Sequence, residues 1–124
     1  MICLDTSSMI AYLQGVDGND VTLIDHALLD QVAAFSPVTV TELLSAPNLS
    51  SNLRETLLAI PMLSIQEGFW ERAGLLRAKV LAKGSKAKLA DTLIAQTCLD
   101  HQVPLVTRDQ DFQIFKKLAK LYLL

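Results

Sequence analysis

The first seven residues constrain the fold more than any other stretch of the chain. Four apolar residues, 1–4, run directly into Asp5, and two hydroxyl residues and an apolar helical pattern follow. A short, wholly apolar run of this kind is typical of a buried strand in a parallel sheet covered on both faces. Asp5 would then lie at the carboxyl end of that strand, where open α/β sheets bind their ligands. The simpler interpretation is that Asp5 or Thr6 only caps the next helix.

Length and composition indicate one folded domain covering residues 1–124. Apolar residues make up 51% of the chain and charged residues 19%, a balance that excludes intrinsic disorder and allows a substantial core. No apolar run approaches the roughly 18 residues of a membrane span, and the N-terminus lacks a secretory signal pattern. We therefore expect a soluble, cytoplasmic protein that does not bind membranes.

The cysteines and histidines do not form a metal-binding or disulfide pattern. Cys3 lies in the predicted first strand and Cys98 in an apolar helical stretch, which is typical of small buried side chains. His26 and His101 are far apart and have no neighbour at zinc-ligand spacing. These four residues are predicted to be structural or surface residues.

Charge is distributed unevenly along the chain. Residues 1–71 carry nine acids and one base, whereas residues 72–124 carry ten bases and four acids. Six of those bases lie between Arg72 and Lys88, and three more follow at Lys116, Lys117 and Lys120. Each is most simply a solvated residue on a helix surface, but as a group they could form a phosphate-binding face.

Predicted strands alternate with predicted helices. The strands are expected at 1–4, 33–38, 61–65, 103–107 and 120–124, and the longer helices at 7–14, 21–32, 39–44, 51–59, 67–83 and 86–100. This alternation indicates an α/β fold with a central, mostly parallel sheet of four to five strands flanked by helices. Thr39 and Glu42 have capping-box spacing, which places the start of the third helix at Thr39.

Three acids share a structural position in this scheme. Asp5, Glu42 and Asp109 each follow a predicted strand or lie in the first turn of the next helix, and right-handed crossovers bring such positions to one edge of a parallel sheet. Asp91 lies near the start of its own helix, whose direction the sequence leaves open. Glu42 has an alternative role in its capping box, and Asp91 and Asp109 have one as first-turn acids favoured by the helix dipole.

Four carboxylates at one edge would repel one another and raise each other's pKa unless a cation bound between them. Carboxylate oxygens suit Mg²⁺ or Mn²⁺, which retain waters and are completed by substrate phosphates. A metal held in this way activates water and stabilises charge on a phosphoryl oxygen. The chemistry indicated is hydrolysis of a phosphodiester.

Four short motifs resemble those of PIN-domain ribonucleases and occur in the same order. They span residues 4–10, 40–44, 90–95 and 105–112, so the resemblance covers nearly the whole chain. The compact length is similar to that of VapC-type toxins from bacterial and archaeal toxin–antitoxin pairs. The resemblance implies a three-layer PIN fold and an endoribonuclease that depends on Mg²⁺ or Mn²⁺.

The resemblance also assigns catalytic roles to the four acids. Asp5, Asp91 and Asp109 match the family's metal-coordinating positions. Glu42 matches the acid that coordinates the metal or helps to orient the attacking water. All four are therefore predicted to be both catalytic residues and metal ligands.

Three further residues are auxiliary candidates. Thr107 matches the family's hydroxyl residue near the site, Asp111 matches a less constant acid, and Thr6 adjoins Asp5. The chain also departs from the pattern in two places, one of which is the segment between Glu42 and Glu67, which looks short and contains two prolines. Many relatives carry an extra acid shortly before the third motif, where this chain has Lys86 and Lys88. That change either reduces the number of acids in the cluster or supplies a contact to substrate phosphate.

The implied partners are an RNA substrate, a cognate antitoxin that blocks the site, and a second copy of the chain in a homodimer. A haloacid dehalogenase-type phosphotransferase would need a second acid where Ser7 stands, and a response-regulator receiver would need paired early acids. The sequence disfavours both. The alternative left open is a PIN-fold module that binds RNA or protein without cutting.

Overall fold

The fold was analysed in a computed structural model that describes all of residues 1–124. Three short strands, seven helices and one 3₁₀ turn follow one another along the chain. In order they are β1 (Ile2–Leu4), α1 (Thr6–Leu13), α2 (Asn19–Leu29), β2 (Ala33–Ala34), α3 (Pro37–Leu44), α4 (Ser51–Leu58), α5 (Phe69–Ala82), α6 (Leu89–His101), β3 (Leu105–Val106), the 3₁₀ turn Gln110–Phe112 and α7 (Gln113–Ala119).

The sheet is parallel, with β1 in the centre and the order β2-β1-β3. Its three strands are fewer than the four to five predicted. The remaining two predicted strands are each reduced to a single parallel bridge, Met62 against Phe35 and Leu123 against Leu105. In the first of these segments only Leu63 is buried, so little apolar surface holds a longer pairing. In the second, Lys120 adopts a left-handed backbone conformation (φ 61°), which is incompatible with a strand.

Helices cover both faces of the sheet and give the three predicted layers. Successive strand residues point to opposite faces, so Cys3 and Leu4 enter different cores. Leu4 packs with residues of α1 to α4, including Met9, Ile24, Leu43 and Leu57. Cys3 packs with residues of α5 to α7, including Leu76, Val80, Ile94 and Phe115. The prediction of a parallel α/β sheet buried on both faces is confirmed.

The start of α3 differs from the capping box predicted at Thr39. The N-cap is Ser36, whose Oγ accepts a hydrogen bond from the backbone N–H of Val38 at 3.3 Å, and Pro37 occupies the first helical turn. Proline suits that position because its φ is already helical and it has no N–H to satisfy. Thr39 is consequently a buried residue within the helix. Glu42 therefore lies in the second turn of α3 rather than its first.

Several residues of the basic segment have structural partners. Arg72 makes two hydrogen bonds to the carboxylate of Asp100, at 2.9 and 2.7 Å. Lys79 donates to the carbonyl of Leu118 at 2.6 Å. These contacts attach α5 to α6 and α7, so Arg72 and Lys79 have structural roles in the packing of these helices.

The cysteines also follow the prediction. Cys3 and Cys98 are buried, reduced thiols. None of the seven helices combines the length and apolar character needed to cross a membrane.

Candidate metal centre

Asp5 is held at the carboxyl end of β1 by two hydroxyl groups. Its Oδ2 accepts hydrogen bonds from Ser7 Oγ at 2.6 Å and from Thr107 Oγ1 at 2.8 Å. Asp5 occupies the N-cap position of α1 but makes no capping hydrogen bond through its side chain. The residue is only 3% exposed. The carboxylate is therefore held by the first turn of α1 and by the segment after β3, and it does not cap the helix terminus.

Asp91, Asp109 and Asp111 form the tightest acidic cluster. Each offers a carboxylate oxygen, and the three oxygens lie within 4.8 Å of one another. Asp109 caps the 3₁₀ turn, where its Oδ1 accepts from the backbone N–H of Asp111 at 2.9 Å. The backbone N–H of Asp109 donates to Thr107 Oγ1 at 3.0 Å, so the same hydroxyl orders both Asp5 and Asp109.

One oxygen of this cluster lacks a hydrogen-bond partner. Oδ2 of Asp91, in the first turn of α6, is buried and has no donor within reach. A buried carboxylate oxygen without a partner is destabilising unless a cation or water satisfies it. Its position among other carboxylates, with no nitrogen or sulfur ligands, fits a hard divalent cation that prefers oxygen.

A cavity of about 290 Å³ connects the acids. The residues lining it come from α1, α3, α6 and the segment after β3, and include Asp5, Thr6, Ser7, Glu42, Lys88, Asp91 and Asp109. Glu42 is exposed and reaches the cavity from the second turn of α3, where its Oε1 accepts a hydrogen bond from Thr6 Oγ1 at 2.7 Å. The four predicted catalytic acids thus surround one cavity.

The pKa values of two acids reflect this crowding. Burial raises the pKa of Asp5, although the hydrogen bonds from Ser7 and Thr107 oppose the shift. Burial also raises the pKa of Asp91 to about 6, and the charges of Asp109 and Asp5 add to that increase. Both shifts mean that negative charge is unfavourable here in the absence of a cation. A divalent ion would reverse that preference.

The arrangement differs in detail from the predicted ligand set. Asp111, predicted as auxiliary, belongs to the tightest cluster, whereas Asp5 and Glu42 lie outside that trio on other walls of the cavity. Two functional contacts were missed. The sequence does not predict that Ser7 holds Asp5, although its hydroxyl lies only two residues away. Lys88 Nζ lies 3.2 Å from Asp111 Oδ2, and no local sequence pattern predicts this contact.

The family model for the PIN domain matches residues 2–121. The chain belongs to the PIN domain family. The match begins in β1 and continues beyond α7, so it includes every acid described above. The structural prediction of a PIN-like fold is confirmed with it.

Relatives of this PIN domain include ribonucleases. It is 26% identical over 129 aligned positions to ribonuclease VapC11 of Mycobacterium tuberculosis, with 98% of this chain and 96% of the relative covered. A VapC ribonuclease of Mycobacterium bovis matches equally well. Both matches extend over nearly the full length of each protein.

Among solved structures, the complex FitAB bound to the IR36 DNA fragment superposes with a TM-score of 0.76 at 25% identity, covering 100% of this chain and 94% of the other. VapBC2 from Rickettsia felis, bound to a promoter DNA fragment, superposes with a TM-score of 0.72 at 20% identity, covering 100% and 98%. The second likeness shows the shared fold alone.

Proposed function

We propose that this PIN-domain protein is an endoribonuclease that depends on Mg²⁺ or Mn²⁺ and serves as the toxin of a toxin–antitoxin pair. The main observation in support is the convergence of acids from four separate motifs on one cavity, with Oδ2 of Asp91 buried and unpaired. The sequence similarity to VapC ribonucleases over nearly the full length of the chain agrees with this assignment.

The proposed ligands are the carboxylates of Asp5, Asp91 and Asp109, with Glu42 as a further ligand or a water-orienting group. Only oxygen atoms are available, which favours Mg²⁺ or Mn²⁺ over zinc. When bound, such an ion would lower the pKa of a coordinated water and stabilise charge on the phosphoryl oxygens.

The chain's own residues supply the positioning. Ser7 and Thr107 fix the carboxylate of Asp5 and leave its second oxygen free for a ligand role. Thr6 holds Glu42 at the mouth of the cavity, where the carboxylate can accept a hydrogen bond from the attacking water. Hydrolysis then adds the hydroxyl to phosphorus, and the proton goes to the leaving oxygen.

The activity can be tested with purified protein and structured RNA. We expect cleavage with Mg²⁺ or Mn²⁺ and none after chelation, and we expect Asp5→Asn to lose at least roughly a hundredfold in rate, because neutralising a ligand weakens metal binding and charge stabilisation. Asp30→Asn is the matched control, since Asp30 is exposed at the end of α2 and away from the cavity. Equal rates for wild type and Asp5→Asn would refute the mechanism.

The same experiment separates cleavage from simple binding. A non-cleaving module would bind RNA tightly and leave it intact with every metal. That outcome would favour the alternative interpretation of the sequence, a PIN fold used only for RNA or protein recognition. Cleavage products that depend on Asp5 would exclude it.

The toxin assignment carries further proposals, namely a homodimer and an antitoxin that blocks the site. An apolar groove of about 370 Å³ adjoins Glu42 and is lined by residues including Ile10, Leu13, Leu43 and Leu49. A helix of a partner laid along it would cover the mouth of the acidic cavity. A small protein encoded next to this one should copurify with it and abolish cleavage, and light scattering should report a dimer. If the protein encoded next to this one does not bind it, the toxin–antitoxin assignment is refuted.

A further inference from the structure

Lys88 is the one base that lines the acidic cavity. It occupies the N-cap position of α6, three residues before Asp91. Its carbonyl accepts hydrogen bonds from both the backbone N–H and the hydroxyl of Thr92, at 3.0 and 2.8 Å, so the backbone of Lys88 is fixed. The side chain is 65% exposed and ends 3.2 Å from Asp111 Oδ2. A fixed backbone therefore places an exposed ammonium group beside the acids.

The contact with Asp111 matters because of where Asp111 lies. Its carboxylate is one of the three whose oxygens lie within 4.8 Å of one another, together with Asp91 and Asp109. Two-metal hydrolytic centres hold their ions about 3.5–4 Å apart and share carboxylates between them. Asp111 does not line the cavity but adjoins Asp91 and Asp109, so its carboxylate is the one available to a second ion on the outer side of the cluster. In this chain the ammonium of Lys88 already neutralises it.

We propose that Lys88 is a resident cation that takes the place of a second divalent ion and limits this centre to one metal. The proposal rests on the metal-dependent function inferred above. The retained ion is held on the inner side, by Asp5, Asp91 and Asp109. Lys88 is thus a positioning residue that sets metal occupancy, and Asp111 is its partner rather than a ligand of the retained ion.

The experiment is a calorimetric titration of the whole protein with Mn²⁺ alone, without RNA. We expect one bound ion for wild type and two for Lys88→Gln, with the first ion bound roughly tenfold more tightly because one nearby positive charge has been removed. Lys86→Gln is the matched control. It removes the same charge two residues away, from an exposed side chain that does not line the cavity, and should behave as wild type.

Two additional variants identify the carboxylate involved. Asp111→Asn alone should still leave one bound ion, because Asp111 is not its ligand, although the loss of a nearby negative charge should weaken its affinity roughly tenfold. In the double variant Lys88→Gln/Asp111→Asn the second ion should disappear. All of these variants alter exposed side chains, so thermal unfolding without metal should be unchanged and serves as the folding control.

The outcomes separate this proposal from the proposed function. One ion bound with equal affinity by wild type and Lys88→Gln would overturn the role of Lys88 and leave the metal centre intact. If Mn²⁺ binding is equal but Lys88→Gln binds RNA more weakly than wild type, the proposal is wrong and Lys88 instead contacts substrate phosphate. Absence of Mn²⁺ binding by both proteins would overturn the metal centre itself and the proposal with it.

Discussion

Among the acids of the site, Asp91 combines a raised pKa with a buried oxygen that lacks a hydrogen-bond partner. Its Oδ2 is buried without a partner, and its pKa is raised to about 6 by burial and by neighbouring carboxylates. Below that pH the side chain of the metal-free protein carries a proton. A divalent ion at this position must therefore displace that proton before it can bind.

We predict that proton competition at Asp91 will set the pH dependence of metal affinity. Mn²⁺ affinity should be nearly constant above the pKa of about 6 and should fall about tenfold for each pH unit below it. Calorimetry in buffers of different ionisation enthalpy would measure the proton released on binding. Proton release that is absent at pH 5.5 would contradict the prediction.

At the residue scale, the sequence was sufficient to predict that four acids lie close together but not which hydrogen bonds hold them. Asp5, Glu42, Asp91 and Asp109 each lie in a contiguous motif, so each could be recognised locally. The hydroxyl of Thr107 bonds to Asp5 across 102 positions of sequence, and the ammonium of Lys88 meets Asp111 across 23. Such contacts depend on how strands and helices pack, which no local pattern specifies.

At the scale of elements, α3 determines where Glu42 lies. The helix is fixed at its start by Ser36, which is fully buried, caps the helix through Val38 N–H and lies 3.2 Å from Thr97 Oγ1 of α6. That hydroxyl pair links the start of α3 to the helix that carries Asp91. The position of Glu42 relative to Asp91 therefore depends on Ser36.

Ser36→Ala should lower the free energy of unfolding by about 1–2 kcal/mol, through loss of the cap and of a buried hydroxyl contact. Ser50→Ala is the matched control, because Ser50 caps α4 through Leu53 N–H but is exposed. It should cost about 0.5–1 kcal/mol and leave RNA cleavage unchanged, whereas Ser36→Ala should also slow cleavage. Urea unfolding measures the first effect. An equal or larger cost for Ser50→Ala would contradict the prediction.

Element boundaries show what periodicity can and cannot provide. The alternation of strands and helices could be predicted because the spacing of apolar residues differs between the two. The helix start at Thr39 was wrong because Thr39 and Glu42 have the spacing of a capping box while the neighbouring Ser36 and Pro37 make the better helix start. Strands at 61–65 and 120–124 were too long because pairing there is limited by burial and backbone conformation, neither of which is visible in composition.

At the scale of the molecule, the ion pair between Arg108 and Asp20 joins distant segments of the chain beside the site. Asp20 of α2 accepts hydrogen bonds from Arg108 Nε at 2.7 Å and from Ser8 Oγ at 2.8 Å. Arg108 lies directly between Thr107 and Asp109, and Ser8 follows Ser7. The network therefore fastens α1, α2 and the segment after β3 at the edge where the acids converge.

This network predicts an acid-dependent loss of stability. The hydrogen bond from Arg108 is the main cause that lowers the pKa of Asp20 to about 2, below its ordinary value of 3.8. Because the folded-state pKa is the lower one, the stabilisation is fully present above pH 3.8 and is lost as pH falls through about 2. Asp20→Asn should therefore cost about 1–2 kcal/mol at pH 6, given the partial exposure of the pair.

The difference between wild type and Asp20→Asn should shrink steadily from pH 4 to pH 2. Urea unfolding at a series of pH values measures it, and Asp30→Asn, at the exposed end of the same helix, should show no such trend. A difference that stayed constant down to pH 2 would show that the cost comes from packing instead of the ion pair.

The pairing of β1 with β3 has a consequence for the synthesis of the protein. Asp5 is synthesised about a hundred codons before Leu105, the partner of Cys3, and before Thr107, which holds Asp5. Until then the central strand lacks a neighbour on one side and the acidic cavity lacks a wall. On the proposed function, a nascent chain synthesised only as far as α6 should therefore be inactive, because Thr107 and Asp109 have not yet joined Asp5.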